Sequence, residues 1–450
     1  MTKADQSNDA LIKAMIQTEA DIKKAEQDKV SAEKQIENIK KSSTYKLFGG
    51  TSKVSQKQRY VEENAILRDA LGKATEELKE TKEALNLAKL DDRRMNSIEL
   101  RDAIREVEQD AGLMSHMERV VEQKKQHDQN YKEALIYIGR LFMNARTEYR
   151  QSVYSTLLEG LKIEDIPEFM MREAFKDKPL TLKHATSFRA SMNMRIRKSQ
   201  LVGELPEYAL DNKQKAYDFV DLLNVDRPWI SDQTYAVDQL SFKAGTVVKP
   251  ADGAGGRGVY LIYELDDITD MKRSRKLSSI SALVESMKLD VEKGWVKGDD
   301  WSVESLILAN NQEKIPANDI KFYCFYGKVG LILEIERYPE LKYCWWTAEG
   351  QRVSTGKYDN APFKGDGVTH QEVEKAEAIS KKIPAPFIRI DFLRSESGLV
   401  FGEFTPKPGN YDEFNERTDQ RLGDLFLEAE GRLERDLMDN SFEAFRNFMI

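Results

Sequence analysis

The chain has 450 residues, enough for about three domains at ~150 residues each. Its 69 Lys+Arg against 77 Asp+Glu give a formal net charge of −8, which argues against a globally basic nucleic-acid binder. The two cysteines, Cys324 and Cys344, exclude a disulfide framework and a cysteine zinc site and fit a reducing compartment.

Hydrophobic residues are 40% and charged residues 32% of the chain. That balance predicts a charged, poorly buried helical segment joined to an ordinary domain. No apolar stretch follows Met1 and no run of ~18 apolar residues occurs, so neither a signal peptide nor a membrane span is expected. The sequence predicts a cytoplasmic protein.

Residues 1–150 contain no proline and are dominated by Lys, Glu, Gln and Ala. Leu11, Met15, Ile22, Ala25, Ala32, Ile36 and Ile39 follow heptad spacing, interrupted at Thr18 and Lys29. The stretch from Lys41 to Ser52, with Gly49-Gly50, breaks the pattern. A second seam runs through Tyr60, Leu67, Leu71, Ala74, Leu78, Leu85 and Ala88. The expectation is an antiparallel coiled-coil hairpin. A 40-residue arm would be about 60 Å long. So few apolar residues bury little alone, so a homo-oligomer or a partner helix is expected. The pattern continues through Ile98, Ile104, Val107, Leu113 and Val120, and becomes apolar at Ala134–Ile138.

Residues 151–245 read as a helical linker and the start of a second domain. Ala216–Leu223 is an amphipathic helix that ends before Pro228. Residues 246–450 read as an α+β core. Strands are predicted at Thr246–Lys249, Val259–Tyr263, Trp301–Leu308, Ile320–Tyr326, Val329–Glu336, Phe387–Leu393 and Leu399–Phe404. Helices are predicted near 279–289, 370–383 and 419–433.

Two features carry chemistry. The first is the loop with Gly253, Gly255, Gly256 and Gly258, preceded by Lys249. Glycines let backbone N–H groups approach phosphate oxygens. Rossmann and Walker loops run from a strand into a helix; this one joins strand to strand and reads as a flap. Lys249 is placed to neutralise phosphate. The second is a carboxylate pair. Period-2 alternation puts Arg389 and Asp391 on one face and Ile388, Ile390 and Phe392 on the other. Glu403 lies on the next strand. Two carboxylates on a rigid hairpin, with oxygen ligands only, suit Mg²⁺ bridging substrate phosphates.

These residues resemble the ATP-grasp fold in order and spacing: Lys249-Pro250, the flap, Val303-Glu304, Asp319-Ile320-Lys321, Arg389-Ile390-Asp391-Phe392 and Gly402-Glu403-Phe404-Thr405. The resemblance is to the teichuronic-acid-biosynthesis (TupA-like) branch. It rests on the string Asp319–Lys328, on Phe387–Phe392 and on Phe401–Gly409, and it spans roughly residues 180–435.

The resemblance implies ATP and Mg²⁺ as cofactors. Lys249 would bind the ATP phosphates, together with Lys213 or Lys215. Glu304, Ser305 and Leu306 would form the adenine hinge, largely through backbone. Lys321 and Arg389 would stabilise the transferred phosphate, and Asp391 and Glu403 would hold the metal. Many ATP-grasp enzymes carry asparagine where this chain has Thr405.

The implied chemistry is carboxylate activation: ATP phosphorylates a carboxylate and an amine displaces phosphate. The branch's association with uronic-acid-rich bacterial surface polysaccharides implies an amino acid as amine donor and a uronic-acid saccharide as acceptor. Alternatives are a ligase making a peptide or other small amide, and a coiled-coil scaffold with a non-catalytic nucleotide domain. A kinase is disfavoured, because no H-R-D or D-F-G string occurs. His184 reads as a surface or capping residue. The basic cluster Arg189, Arg195, Arg197 and Lys198, and the run from Lys272 to Lys276, read as solvated charge. Trp345-Trp346 reads as packing, with sugar stacking as the alternative.

Overall fold

The computed structural model describes residues 113–175, 180–182, 185–251 and 256–439 continuously, with scattered positions before 106 and Phe442 and Phe445 beyond. The heptad seams and the expected hairpin turn fall almost wholly outside the described residues, as do Gly253, Gly255 and His184. The chain divides into two compact units, Met1–Arg146 and Thr147–Ile450. In the first unit, α1 (Leu113–Leu141) is a continuous 29-residue helix. Among the described residues, no helix is long and apolar enough to cross a membrane.

The second unit opens with α2 (Thr147–Leu158), α3 (Phe188–Val202) and α4 (Lys213–Leu222). Asn212 caps α4 by accepting from the Lys215 N–H, which satisfies an otherwise unpaired donor. The first sheet, in spatial order, contains β4 (Arg275–Leu277), β3 (Asp267–Asp270), β2 (Tyr260–Glu264), β1 (Thr246–Pro250) and β5 (Trp301–Ser305). Helix α5 (Ile280–Glu292) supplies Leu283 and Met287 to the core over this sheet. A short hairpin follows, β6 (Leu308–Asn310) with β7 (Ile315–Pro316). The second sheet contains β10 (Lys342–Trp346), β9 (Val329–Glu336), β8 (Asp319–Cys324), β11 (Ile388–Ser395) and β12 (Gly398–Thr405). Helices α6 (His370–Ser380) and α7 (Glu416–Met438) complete the unit.

Every pairing within these sheets is antiparallel. That suits strands joined largely by hairpins. The strands on either side of the glycine loop are joined as expected: β1 and β2 pair antiparallel, with Val248 opposite Tyr260. The sequence did not foresee β3, β4, β7 and β10.

The second sheet is covered on both faces, and strict alternation along β8 shows why. Ile320, Phe322 and Cys324 join one core with Tyr217, Phe219 and Val220 of α4 and Val373, Ala376 and Ile379 of α6. Tyr323 turns to the other core, with Phe188 and Met192 of α3 and Leu422, Phe426 and Ala429 of α7. All six β8 residues are therefore buried, so the polar Asp319 and Lys321 need partners there.

Two readings of solvated charge are corrected, and the packing reading of Trp345-Trp346 holds. Arg195 is mostly buried and forms a two-pronged pair with Glu207, at 2.6 and 3.0 Å. Arg273, on the run read as solvated, donates to Asp270 at 2.9 Å and to the fully buried Asp290 at 2.6 Å. Its neighbour Arg275 reaches Asp270 and Ser286. These guanidiniums compensate carboxylates that β3 and α5 carry inside. Trp345 and Trp346 are buried, their indole N–H groups donating to the Lys357 carbonyl and the Glu334 carboxylate at 2.7 and 3.0 Å.

Candidate active site

The two sheets of the second unit face each other across a cleft of about 190 Å³. One wall comes from α4, β1 and β5. Along β1, Val248 enters the core while Lys249 points the other way. Lys249 Nζ donates to Glu304 Oε2 at 2.6 Å, and Lys213 Nζ donates to the other oxygen of the same carboxylate. The structure thus separates two lysines the sequence left equal. Lys213 lines the cleft with Lys249, while Lys215 donates its backbone N–H to the cap of α4.

Burial alone would raise the Glu304 carboxyl, but the two lysines outweigh it and hold it below its ordinary value. Burial, and then the Lys249 charge, push Lys213 down to about 8 against the pull of Glu304. The Ser305 and Leu306 N–H groups donate to the Trp229 and Gly245 carbonyls, both at 2.9 Å, so neither is open to adenine in this conformation.

The opposite wall comes from β8, β11 and β12. Asp391 lies in register with Lys321 on one side and Glu403 on the other. Lys321 Nζ donates to Asp391 Oδ2, and Arg389 grips the same carboxylate with Nε and Nη2, each at 2.7 Å. Arg389 Nη2 also donates to Thr405 Oγ at 3.0 Å. Burial would raise the Asp391 carboxyl, but Arg389 and Lys321 hold it well below the usual carboxylate range.

Glu403 is differently placed, with a side chain 57% exposed to the cleft. Desolvation, and next the Asp391 charge, raise its carboxyl above the ordinary value. A β-bulge between Asp391 and Phe392 leaves Gly402 as the extra residue. A Cβ at Gly402 would come within 3.1 Å of the Asp391 carbonyl oxygen. Bulges re-aim side chains next to reactive sites; here it turns Glu403 to face the cleft beside Asp391.

Three cleft residues were missed as site residues: Tyr217, Asp319 and Arg337. Asp319 was legible by alternation with Lys321, which it approaches at 4.0 Å. Arg337 Nε donates to Asp319 at 2.7 Å, and that carboxylate raises the already high Arg337 value further. Nothing in the local sequence marks Arg337. Tyr217 lies beneath Lys213 and Arg227, whose charged groups sit 5.4 and 4.8 Å from its ring centre.

At the flap's far end, Gly256 and Gly258 have φ of +74° and +70°. That left-handed backbone favours glycine. A Cβ at Gly258 would meet Val296 at 2.8 Å, so the close approach also demands glycine.

The donor set suits magnesium. Asp391 and Glu403 are paired hard-oxygen ligands, and Mg²⁺ is commonly held by one or two carboxylates plus substrate phosphates.

The cleft carries cationic side chains on both walls and paired carboxylates on one, and the class of protein is an ATP-grasp ligase. A family model described as TupA-like ATP-grasp matches residues 190–427, and the chain belongs to that family. No curated protein matches the sequence. Solved structures similar to this chain include the D-alanine–D-alanine ligase of Bacillus anthracis, at 15% identity and a TM-score of 0.30 over 51% of this chain and 69% of that one. The ATP-grasp ligase PsnB, in complex with a precursor variant, Mg and ADP, is 11% identical, with a TM-score of 0.31 over 54% of this chain and 71% of that one. The macrocyclase MdnC of Microcystis aeruginosa, bound to a precursor peptide, is 10% identical, with a TM-score of 0.29 over 53% and 70%.

Proposed function

We propose that the enzyme joins the amine of an amino acid to the carboxylate of a uronic-acid sugar belonging to a bacterial surface polysaccharide, such as a capsule or O-antigen. The observation that carries the chemistry is the clasp of Asp391 by Lys321 and Arg389, with Glu403 alongside, facing Lys213 and Lys249 across the cleft. The saccharide class rests on the association of the TupA-like branch with uronic-acid-rich polysaccharides.

In this reading Lys213 and Lys249 leave Glu304 to bind the phosphates of ATP. Gly256 and Gly258 let the flap backbone close over them. Asp391 and Glu403 hold Mg²⁺, which supplies neutralisation of phosphate charge. Lys321 and Arg389 stabilise the γ-phosphoryl group as it passes from ATP to the substrate carboxylate, with ADP as the leaving group. The amine nitrogen then attacks the acyl carbon of the acyl phosphate. The carbon–oxygen bond to phosphate breaks, the nitrogen loses a proton, and inorganic phosphate leaves. Positioning and charge neutralisation suffice, so no side-chain nucleophile is required. The N-terminal region assembles copies of the chain through its heptad seams.

The test is phosphate release from MgATP with amino acids paired against uronic acids and their oligomers, with product masses read in parallel. A product of sugar plus amino acid minus water, with one phosphate per product, is expected. A peptide product, or phosphate release without any sugar adduct, would overturn the saccharide assignment.

A further inference from the structure

A second cavity, of about 420 Å³, lies on β10 and the loop that follows it. It is larger than the nucleotide cleft and within the size range of small-molecule sites. Its walls combine ring faces with polar groups: Tyr343, Trp345 and Tyr358, with Arg352, Ser354 and Asp359. Tyr343 and Tyr358 stack with ring centres 4.3 Å apart and planes 17° apart, and Trp345 lies within 12° of parallel to Tyr358. Arg352 spends Nη2 on the Phe363 carbonyl. Asp359 accepts from Ser354 and from the Gly356 N–H. The partly buried rings of Tyr343 and Tyr358, backed by the buried Trp345 and flanked by a guanidinium, a hydroxyl and a carboxylate, match a sugar ring, which has an apolar C–H face and a polar edge.

Two observations connect this cavity with the reacting centre. The first is register. Glu403, Asp391, Lys321, Leu333 and Trp345 form one row across the sheet, from β12 to β10. Tyr343 and Trp345 of the cavity therefore lie on the same sheet face as the carboxylates. Trp345 is three strand spacings from Asp391, roughly 14 Å. That is too far for one pyranose to fill both places and suits a neighbouring unit of a longer saccharide.

The second observation is strain and anchorage. Tyr358 has φ of +61°, a costly conformation for a bulky side chain that the surroundings must impose. Lys357, only 1% exposed, donates to the Gly409 carbonyl at 2.7 Å. It thereby ties the Tyr358 turn to the loop that follows Glu403 and Thr405.

We propose that this cavity is a subsite for a sugar ring flanking the uronic-acid unit whose carboxylate reacts beside Arg389; the inference rests on the saccharide reading above. It predicts that the enzyme prefers an oligosaccharide to a monosaccharide, and that the preference resides in Tyr358 and Arg352.

The test uses the full-length protein with galacturonic acid and its trimer as probes. Binding without ATP is followed by ligand-observed NMR and by tryptophan fluorescence; turnover is followed by phosphate release. Tyr358→Asn removes the ring but tolerates positive φ, and Arg352→Gln changes an exposed residue. Wild type should bind the trimer at least tenfold more tightly than the monomer. Both variants should lose that difference while KM for ATP stays unchanged.

Equal trimer affinity in wild type and both variants would overturn the subsite while leaving the ligase reading intact. No binding of either probe by wild type would overturn sugar occupancy.

Discussion

Glu304 and Lys249 form a 2.6 Å ion pair between adjacent strands, and Lys213 shares the same carboxylate. One buried glutamate thus pairs with two lysines that, in the proposed function, bind the phosphates of ATP. Glu304→Gln leaves both lysines uncompensated. The free protein should lose about 1–3 kcal/mol of stability. MgATP supplies the missing negative charge, so it should raise the melting temperature of the variant by more than it raises that of wild type. A smaller shift in the variant, measured by calorimetry, would show that Glu304 helps to hold nucleotide rather than standing in for it.

The two proposed metal ligands should behave differently when removed. Asp391 is 5% exposed and neutralises Lys321 and Arg389. Asp391→Ala leaves two buried cations with only the more distant Asp319 and Glu403, each at 4.0 Å, and should cost about 3–5 kcal/mol of stability as well as turnover. The Glu403 side chain is more than half exposed, and its removal relieves repulsion with Asp391. Glu403→Ala should keep stability within about 0.5 kcal/mol. Its turnover should fall roughly a hundredfold or more. Thermal melts beside phosphate release separate the cases; a Glu403→Ala enzyme with near-normal turnover would refute the metal assignment.

Gly258 offers a test of the flap that leaves every charged side chain intact. Gly258→Ala forces a Cβ into positive φ and within 2.8 Å of Val296, 3.1 Å of Pro250 and 3.2 Å of Trp301. A cost of about 1–3 kcal/mol is expected, together with a higher KM for ATP, because the displaced flap no longer seats its N–H groups. Gly256→Ala meets open space and should cost only the conformational strain. A KM for ATP as high in Gly256→Ala as in Gly258→Ala would show that close packing at Gly258 is not what seats the flap.

Legibility of the site in sequence followed the range of the interactions. Period-2 alternation was enough to place Arg389 with Asp391, because a strand fixes side-chain direction over two residues. It would have placed Asp319 with Lys321 in the same way. The flap was legible because glycines and Lys249 are adjacent in the chain. What stayed hidden depends on tertiary contacts. The choice between Lys213 and Lys215 is made by Glu304, some ninety residues away. Arg337 enters the cleft because β9 ends beside Asp319. Arg273 and Arg195 looked solvated because their partners, Asp290 and Glu207, sit on other elements. Strands β3 and β4 were missed because they are four and three residues long and carry charge.

Lys213 should make ATP binding depend on pH in a defined direction. Burial and the neighbouring Lys249 hold its amine at about 8 in the nucleotide-free protein, against 10.5 for an ordinary lysine. Between those values the unfolded chain binds more protons, so the contribution of this group to stability rises with pH across that window and is at its lowest below about 8. Nucleotide reverses the bias, because phosphate anions favour the charged amine. ATP binding at pH 8.5 should therefore be accompanied by proton uptake, and affinity should weaken as pH rises above about 8, by up to tenfold per pH unit. Titration calorimetry in two buffers of different ionisation enthalpy reads the uptake directly. Lys213→Arg keeps the positive charge through this range, so it should bind ATP without proton uptake and with a flat pH profile. Lys215→Ala, whose side chain lies outside the cleft lining, should retain the wild-type profile. Proton uptake that survives in Lys213→Arg would place the titrating group elsewhere and remove Lys213 from the phosphate site.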